Sequence, residues 1–122
     1  MIVAYSTLTG NVGRFVGNLG LESVQVKSGL VIDAPYVLIT VSFGKGAVPK
    51  DVESFLSNET NIQNLKGVVG SGNINWKENF CGSAITIADR FKVPLLHKFE
   101  MSGYPSDVKV VRQRIKELEG MI

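Results

Sequence analysis

A chain of 122 residues, 44% apolar and 20% charged, has the length of one globular domain, expected here over residues 1–122, and enough apolar side chains for a buried core. A formal net charge of +2 without a basic stripe excludes nucleic acid as a partner, and apolar runs too short to cross a bilayer exclude a membrane-spanning protein. The single cysteine cannot form an internal disulfide, and Met1 leads straight into a strand pattern with no export leader, so a cytoplasmic location is expected.

In chain order, Ile2-Val3-Ala4-Tyr5 is short, unbroken and apolar, as a strand buried on both faces of a parallel sheet would be. After Ser6-Thr7-Leu8-Thr9-Gly10-Asn11, the residues Val12, Phe15, Val16 and Leu19 recur at helical spacing, and Gly20 supplies a stop. Gly13 and Gly17 lie four apart in this helix, which suits close packing on a sheet, although each weakens the helix by about 1 kcal/mol. Leu21 to Lys27 alternates imperfectly, like an edge strand, whereas Tyr36 to Val41 is a continuous apolar run and therefore a central strand. The link between these two shows no helical pattern.

Ser42-Phe43-Gly44-Lys45-Gly46-Ala47 is a glycine-rich loop, and Val48-Pro49 opens a helix with Val52, Phe55 and Leu56 on one side. Ser57 to Asn64 is polar and is assigned no element. Leu65 to Val69 forms a strand that runs into Gly70-Ser71-Gly72-Asn73-Ile74-Asn75-Trp76, after which Phe80, Ala84, Ile87, Ala88 and Phe91 mark a third helix. Val93 to Phe99 is the fifth strand, and Pro105-Ser106-Asp107 starts a last helix with Val108, Val111, Ile115 and Leu118 on its face.

Alternation of this kind predicts an α/β fold with a five-stranded parallel sheet and helices on both sides. The natural strand order, 2-1-3-4-5, places ligands at the carboxyl ends of strands one, three and four. The loops leaving those ends are all rich in Gly, Ser, Thr and Asn. The first, Ser6 to Asn11, sits between a strand and a helix, where hydroxyls and free backbone N–H groups suit a phosphate monoester, with each charge-assisted bond worth roughly 1.5–3 kcal/mol. It contains no cation, and neither G-x-x-x-x-G-K-[ST] nor G-x-G-x-x-G occurs in the chain. Equally, Thr9 or Asn11 on its own would serve as a helix cap. Glycines in the other two loops let backbone approach a flat ring. Trp76 is read as a wall stacked on that ring or as a hydrophobic plug, and Phe43 as the opposite wall or a partner contact. A phosphate monoester joined to a planar ring describes flavin mononucleotide (FMN).

The motifs Ser6-x-x-Thr9-Gly10-Asn11-Val12-x-Arg14-Phe15, Gly46-x-Val48-Pro49, Val69-Gly70-Ser71-Gly72-Asn73-x-Asn75-Trp76 and Val93-Pro94-Leu95-Leu96-x-Lys98-Phe99-Glu100-x-Ser102-Gly103 together resemble the NrdI family over nearly the whole chain. The resemblance implies a flavodoxin-like three-layer sandwich that binds FMN. It also implies that the protein is an accessory redox carrier and not a stand-alone enzyme: reduced by a flavin reductant, it reacts with molecular oxygen and passes the oxidant to NrdF, the small subunit of class Ib ribonucleotide reductase, to generate its manganese-tyrosyl radical cofactor. The residues expected to bind FMN are Ser6, Thr7, Leu8, Thr9, Gly10, Asn11, Val12, Ser42, Phe43, Gly44, Lys45, Gly46, Ser71, Gly72, Asn73, Asn75 and Trp76, with no catalytic or metal-ligating residue. The chain departs from the family at Ile74, Lys77 and Tyr104, where Arg, Gly and Thr are usual, and at Thr40-Val41-Ser42, often Thr-Pro-Thr. These departures bear on partner fit and flavin tuning.

No Asp or Glu occurs in the three loops, so an anionic reduced flavin is expected to be less penalised than in acidic flavodoxins, with Lys45 helping if it points inward. Cys81 reads as a buried small residue or a thiol with lowered pKa near a helix start, and His97 as structural. A generic short flavodoxin serving another acceptor and a flavin-free interaction domain are the competing readings. A receiver domain is disfavoured, because Ser6-Thr7 and Ser42-Phe43 stand where its acidic residues belong.

Overall fold

The computed structural model describes residues 1–42, 46–75 and 80–122. Strands β1 (Ile2–Tyr5), β2 (Ser23–Gln25), β3 (Tyr36–Val41), β4 (Leu65–Gly72) and β5 (Leu95–Glu100) form one parallel sheet in the order β2-β1-β3-β4-β5, as expected. The helices are α1 (Asn11–Leu19), α2 (Lys50–Phe55), α3 (Glu59–Asn64), α4 (Gly82–Phe91) and α5 (Pro105–Glu119). Among the described residues, no helix is long and apolar enough to cross a membrane.

Alternate residues of the strands feed two cores. Val3, Val37, Ile39 and Val69 meet Phe15 and Leu19 of α1 and Val111, Ile115 and Leu118 of α5. Ala4, Tyr36, Leu38 and Val68 turn the other way onto Val52 and Phe55 of α2 and Ala84 and Ile87 of α4. Each large apolar side chain so buried stabilises the fold by roughly 1.5–3 kcal/mol. Phe15 stacks on Phe99 with ring centroids 3.9 Å apart, which fixes α1 against the end of β5.

Several expectations need correction. Only Ser23–Gln25 of the Leu21 to Lys27 stretch pairs as a strand, because its sole neighbour, β1, is itself four residues long. The third helix begins at Gly82, two residues after Phe80, and the fifth strand runs from Leu95 to Glu100. The polar stretch Ser57 to Asn64 contains α3, whose buried residue is Asn61 and not an apolar side chain. Asn58 caps this helix by accepting from the Asn61 N–H at 3.2 Å. The Asn61 side chain accepts from the Ile32 N–H at 2.7 Å and donates to the carbonyls of Leu30 and Phe55 at 2.9 Å, while the Tyr36 hydroxyl donates to its main-chain carbonyl at 2.5 Å. One asparagine thus straps down the β2–β3 connection, which is helix-free as expected.

The glycines also separate. Gly17 is exposed, and a Cβ there would meet nothing within 4 Å, so it serves no close packing; at Gly13 the nearest atom is Tyr5 Cε2 at 3.8 Å. The close approach lies in β4 instead, where a Cβ on Gly70 would sit 2.7 Å from Ala84 Cβ and 2.9 Å from Cys81 Cβ. Gly70→Ala is therefore expected to destabilise the protein by about 1–3 kcal/mol through overpacking, and Gly17→Ala to stabilise it by about 0.5–1 kcal/mol. Urea denaturation midpoints of the two variants check both signs.

Candidate functional site

β1 ends at Tyr5, and the chain turns through residues 6–10 into α1. Gly10 makes this possible with φ +88°, in the left-handed region, and its N–H closes the turn on Thr7 Oγ1 at 3.0 Å. No side chain caps α1, so Thr9 and Asn11 are not the caps that the alternative reading of this loop supposed. The Ser6 N–H is taken by the Ile39 carbonyl at 2.9 Å. Among the described residues, no acceptor meets the backbone N–H groups of Thr7, Leu8, Thr9, Asn11 or Val12. These donors sit at the positive end of α1, which is what an anion requires.

The loop itself contains no cation, but one reaches it from α1. Arg14 Nη1 lies 3.2 Å from the place a Cβ on Gly10 would occupy, so a guanidinium folds back over the loop. It comes from one helical turn downstream, the spacing at which helix residues share a face.

The second and third loops are anchored through serines. Ser42 donates its N–H to the Ser71 carbonyl at 2.9 Å, and its hydroxyl exchanges hydrogen bonds with Ser83 of α4, donating to Oγ at 2.8 Å and accepting from the N–H at 2.9 Å. Gly46, with φ +80°, lies so near Gly82 that a Cβ on Gly82 would be 2.9 Å from its Cα. Ile74 N–H reaches Glu100 Oε2 at 3.1 Å, and Asn75 N–H reaches Asn73 Oδ1 at 2.9 Å. Phe43, Gly44, Lys45, Trp76 and Lys77 lie outside the described residues.

A fourth loop, not foreseen as part of the site, completes the wall. Met101 has φ +56°, its carbonyl accepts from Ser71 Oγ at 2.7 Å, and its N–H donates to the Gly72 carbonyl at 3.0 Å. Ser102 Oγ donates to Asn11 Oδ1 at 3.1 Å, tying this loop to the start of α1. The resulting cleft, about 290 Å³, is lined by Leu8, Thr9, Asn11, Val41, Ser42, Ser71, Gly72, Asn73 and Met101. Seven of the expected residues therefore converge, joined by Val41 and Met101. Ser6 and Val12 are buried behind the loop, and neither they nor Thr7, Gly10, Gly46 and Asn75 line this cleft. Met101 was legible only as the residue after a strand end, which ordinarily says little.

The electrostatics also change. The loops contain no acid, but the fold brings two from flanking elements: Asp51 Oδ2 accepts from Ser6 Oγ at 2.9 Å, and Glu100 holds Ile74. A larger groove of about 500 Å³ runs along α5 between Lys109, Arg112, Arg114 and Lys116. Its walls are stems of long solvated side chains, whose ordering would oppose binding. His97 Nε2 lies 2.7 Å from Asp107 Oδ1, and Asp107 Oδ2 accepts from the Tyr104 N–H at 2.8 Å, so this pair joins β5 to the start of α5.

A model described as NrdI flavodoxin-like matches residues 3–113. Among similar proteins, the protein NrdI of Ruegeria sp. (strain TM1040) is 40% identical over 118 residues, covering 91% of this chain and 84% of that one. The protein NrdI of Bacillus licheniformis is 40% identical over 117 residues, covering 95% and 88%, and that of Escherichia coli O1:K1 / APEC is 37% identical over 124 residues, covering 95% and 91%. Among solved structures, a short-chain flavodoxin associated with a PDU bacterial microcompartment superposes with a TM-score of 0.69 at 20% identity, covering 98% of this chain and 96% of its own. Two-electron reduced Megasphaera elsdenii flavodoxin gives a TM-score of 0.60 at 16% identity, covering 96% and 99%. These two likenesses establish the flavodoxin-like fold.

Cys81, at the turn into α4, is fully buried, and its Sγ lies 3.7 Å from the Phe99 carbonyl. Burial pushes the thiol up to about 12, which supports the inert reading over the reactive one. Native protein at pH 8 is expected to resist a thiol reagent that labels the urea-unfolded chain at once. In the unfolded chain the thiol ionises from about pH 8.5, so folding stability should fall as pH rises from there toward 12, by up to about 1.4 kcal/mol per pH unit. Cys81→Ala is expected to remove that component of the pH dependence.

Proposed function

The chain belongs to the NrdI flavodoxin-like family, a family whose fold implies a flavin, and on that premise we propose that it binds FMN and supplies oxidant for assembly of the dimanganese-tyrosyl radical cofactor in NrdF of class Ib ribonucleotide reductase. The observation that carries the reading is that, among the described residues, no acceptor meets the backbone N–H groups of Thr7, Leu8, Thr9, Asn11 and Val12, beside an apolar-walled cleft.

The residues present fit the group. A phosphate monoester would take the N–H groups of Thr7, Leu8, Thr9, Asn11 and Val12, with the Thr9 hydroxyl and the Arg14 guanidinium beside them. The flat ring would lie against Leu8, Val41 and Met101 on its apolar contacts and against Ser71, Gly72 and Asn73 on its polar edge. Phe43, Gly44, Lys45, Gly46, Asn75 and Trp76 belong to the same proposed site. FMN, when bound, would supply the redox chemistry between a flavin reductant and molecular oxygen. The chain's own part is to anchor the phosphate, exclude water from the ring and present the open rim of the cleft.

That rim is apolar. Leu8 is 63% exposed, Ile74 59% and Met101 47%, each on a different loop at one end of the sheet. Three such side chains suit a protein surface better than water, and NrdF is the partner proposed for them.

Titration with FMN is expected to shift the flavin absorption bands. Absence of binding at high micromolar FMN would overturn the reading. Arg14→Gln should weaken FMN roughly tenfold, the value of one charge-assisted hydrogen bond. For the partner, Ile74→Asp is expected to lower NrdF affinity and radical yield while FMN affinity stays unchanged; equal yields for the two proteins would argue against docking at this rim.

A further inference from the structure

We infer that Asp51 acts as a brake on phosphate binding: it holds the Ser6 hydroxyl proton away from the first loop and opposes a second negative charge there. This rests on the flavin reading above and assigns the strength with which that site holds its phosphate. Ser6 is the first residue beyond β1, and it is 2% exposed. A serine hydroxyl has one proton to give, and here it goes to Asp51 Oδ2 at 2.9 Å. Asp51 Oδ1 accepts from the Val52 N–H at 2.9 Å, so both carboxylate oxygens are engaged and the group is fixed at the second residue of α2. Among the described residues, no Lys or Arg pairs with Asp51.

The loop is therefore flanked by opposite charges, Arg14 over Gly10 at one end and Asp51 against Ser6 at the other. A phosphate dianion settling on the N–H groups of Thr7, Leu8, Thr9, Asn11 and Val12 meets a serine oxygen that offers only lone pairs, with a carboxylate behind it. Both effects weaken the hold on the dianion. Neither touches the ring. A flavin so held exchanges more readily than one whose phosphate receives every hydroxyl of its loop.

The test compares FMN with riboflavin, which carries the same ring and no phosphate. Fluorescence titrations of both ligands would be run on the wild-type chain, on Asp51→Asn, which keeps the shape, and on Asp51→Ala, which removes the group. Both variants are expected to bind FMN roughly tenfold more tightly, the worth of one regained charge-assisted hydrogen bond, with riboflavin affinity unchanged. Ser6→Ala should then cost more FMN affinity in the Asp51→Asn background than in the wild type. If Asp51 only steadies Ser6, both variants will bind FMN equally or more weakly while riboflavin still binds, and the inference is overturned. If neither flavin binds any of the proteins, the flavin reading itself fails and takes this inference with it.

Discussion

The strand order reverses at β1, and that reversal dictates where everything else in the site can be. β1 lies between β2 and β3, so the chain leaves it through α1 on one side of the sheet and leaves β3 through α2 on the other. Two connections that diverge from adjacent strand ends cannot fill the space between them. After β1, the backbone N–H groups of Thr7, Leu8, Thr9, Asn11 and Val12 find no acceptor among the described residues, which sheet and helix interiors do not permit. The far wall is set by the core. Gly103, with φ +74°, rests on the stacked Phe15 and Phe99 so closely that a Cβ would fall 2.7 Å from Phe15 Cδ1. Packing between α1 and β5 thereby places Met101 and Ser102 beside Asn11.

The sheet was legible because its inner strands β1 and β3 read as continuous apolar runs, and because the apolar residues of α1, α4 and α5 each recur at helical spacing. What escaped was local order made by polar atoms. α3 has no apolar stripe; its buried face is one carboxamide with partners 29 and 31 residues away in sequence, which no periodicity reveals. β2 was drawn too long because alternation says where a strand is possible, not how long its partner is.

Within the site, the first and third loops were found through residue type, since glycines and hydroxyls at strand ends are conspicuous. The charges around them were not. Arg14, Asp51 and Glu100 lie outside the loop sequences and arrive through a helical turn, a neighbouring helix and a strand end. An absence of acids in the loop sequences is therefore a poor guide to the field at a ligand. Electrostatics depends on distance in space, and the fold brings these groups together from three separate elements.

The strap held by Asn61 also bears on how the molecule avoids its neighbours. Residues 26–35 have no secondary structure of their own, and their order is borrowed from α3, so the two form one cooperative unit with the edge strand that precedes them. Release of that unit would uncover the hydrogen-bonding edge of β1, four residues of Ile, Val, Ala and Tyr of which Val3 and Ala4 are fully buried in the folded sheet. A short apolar strand with a free edge is a template for pairing with other chains. One buried carboxamide thus helps to hold in place the segment that follows the strand covering the edge of β1.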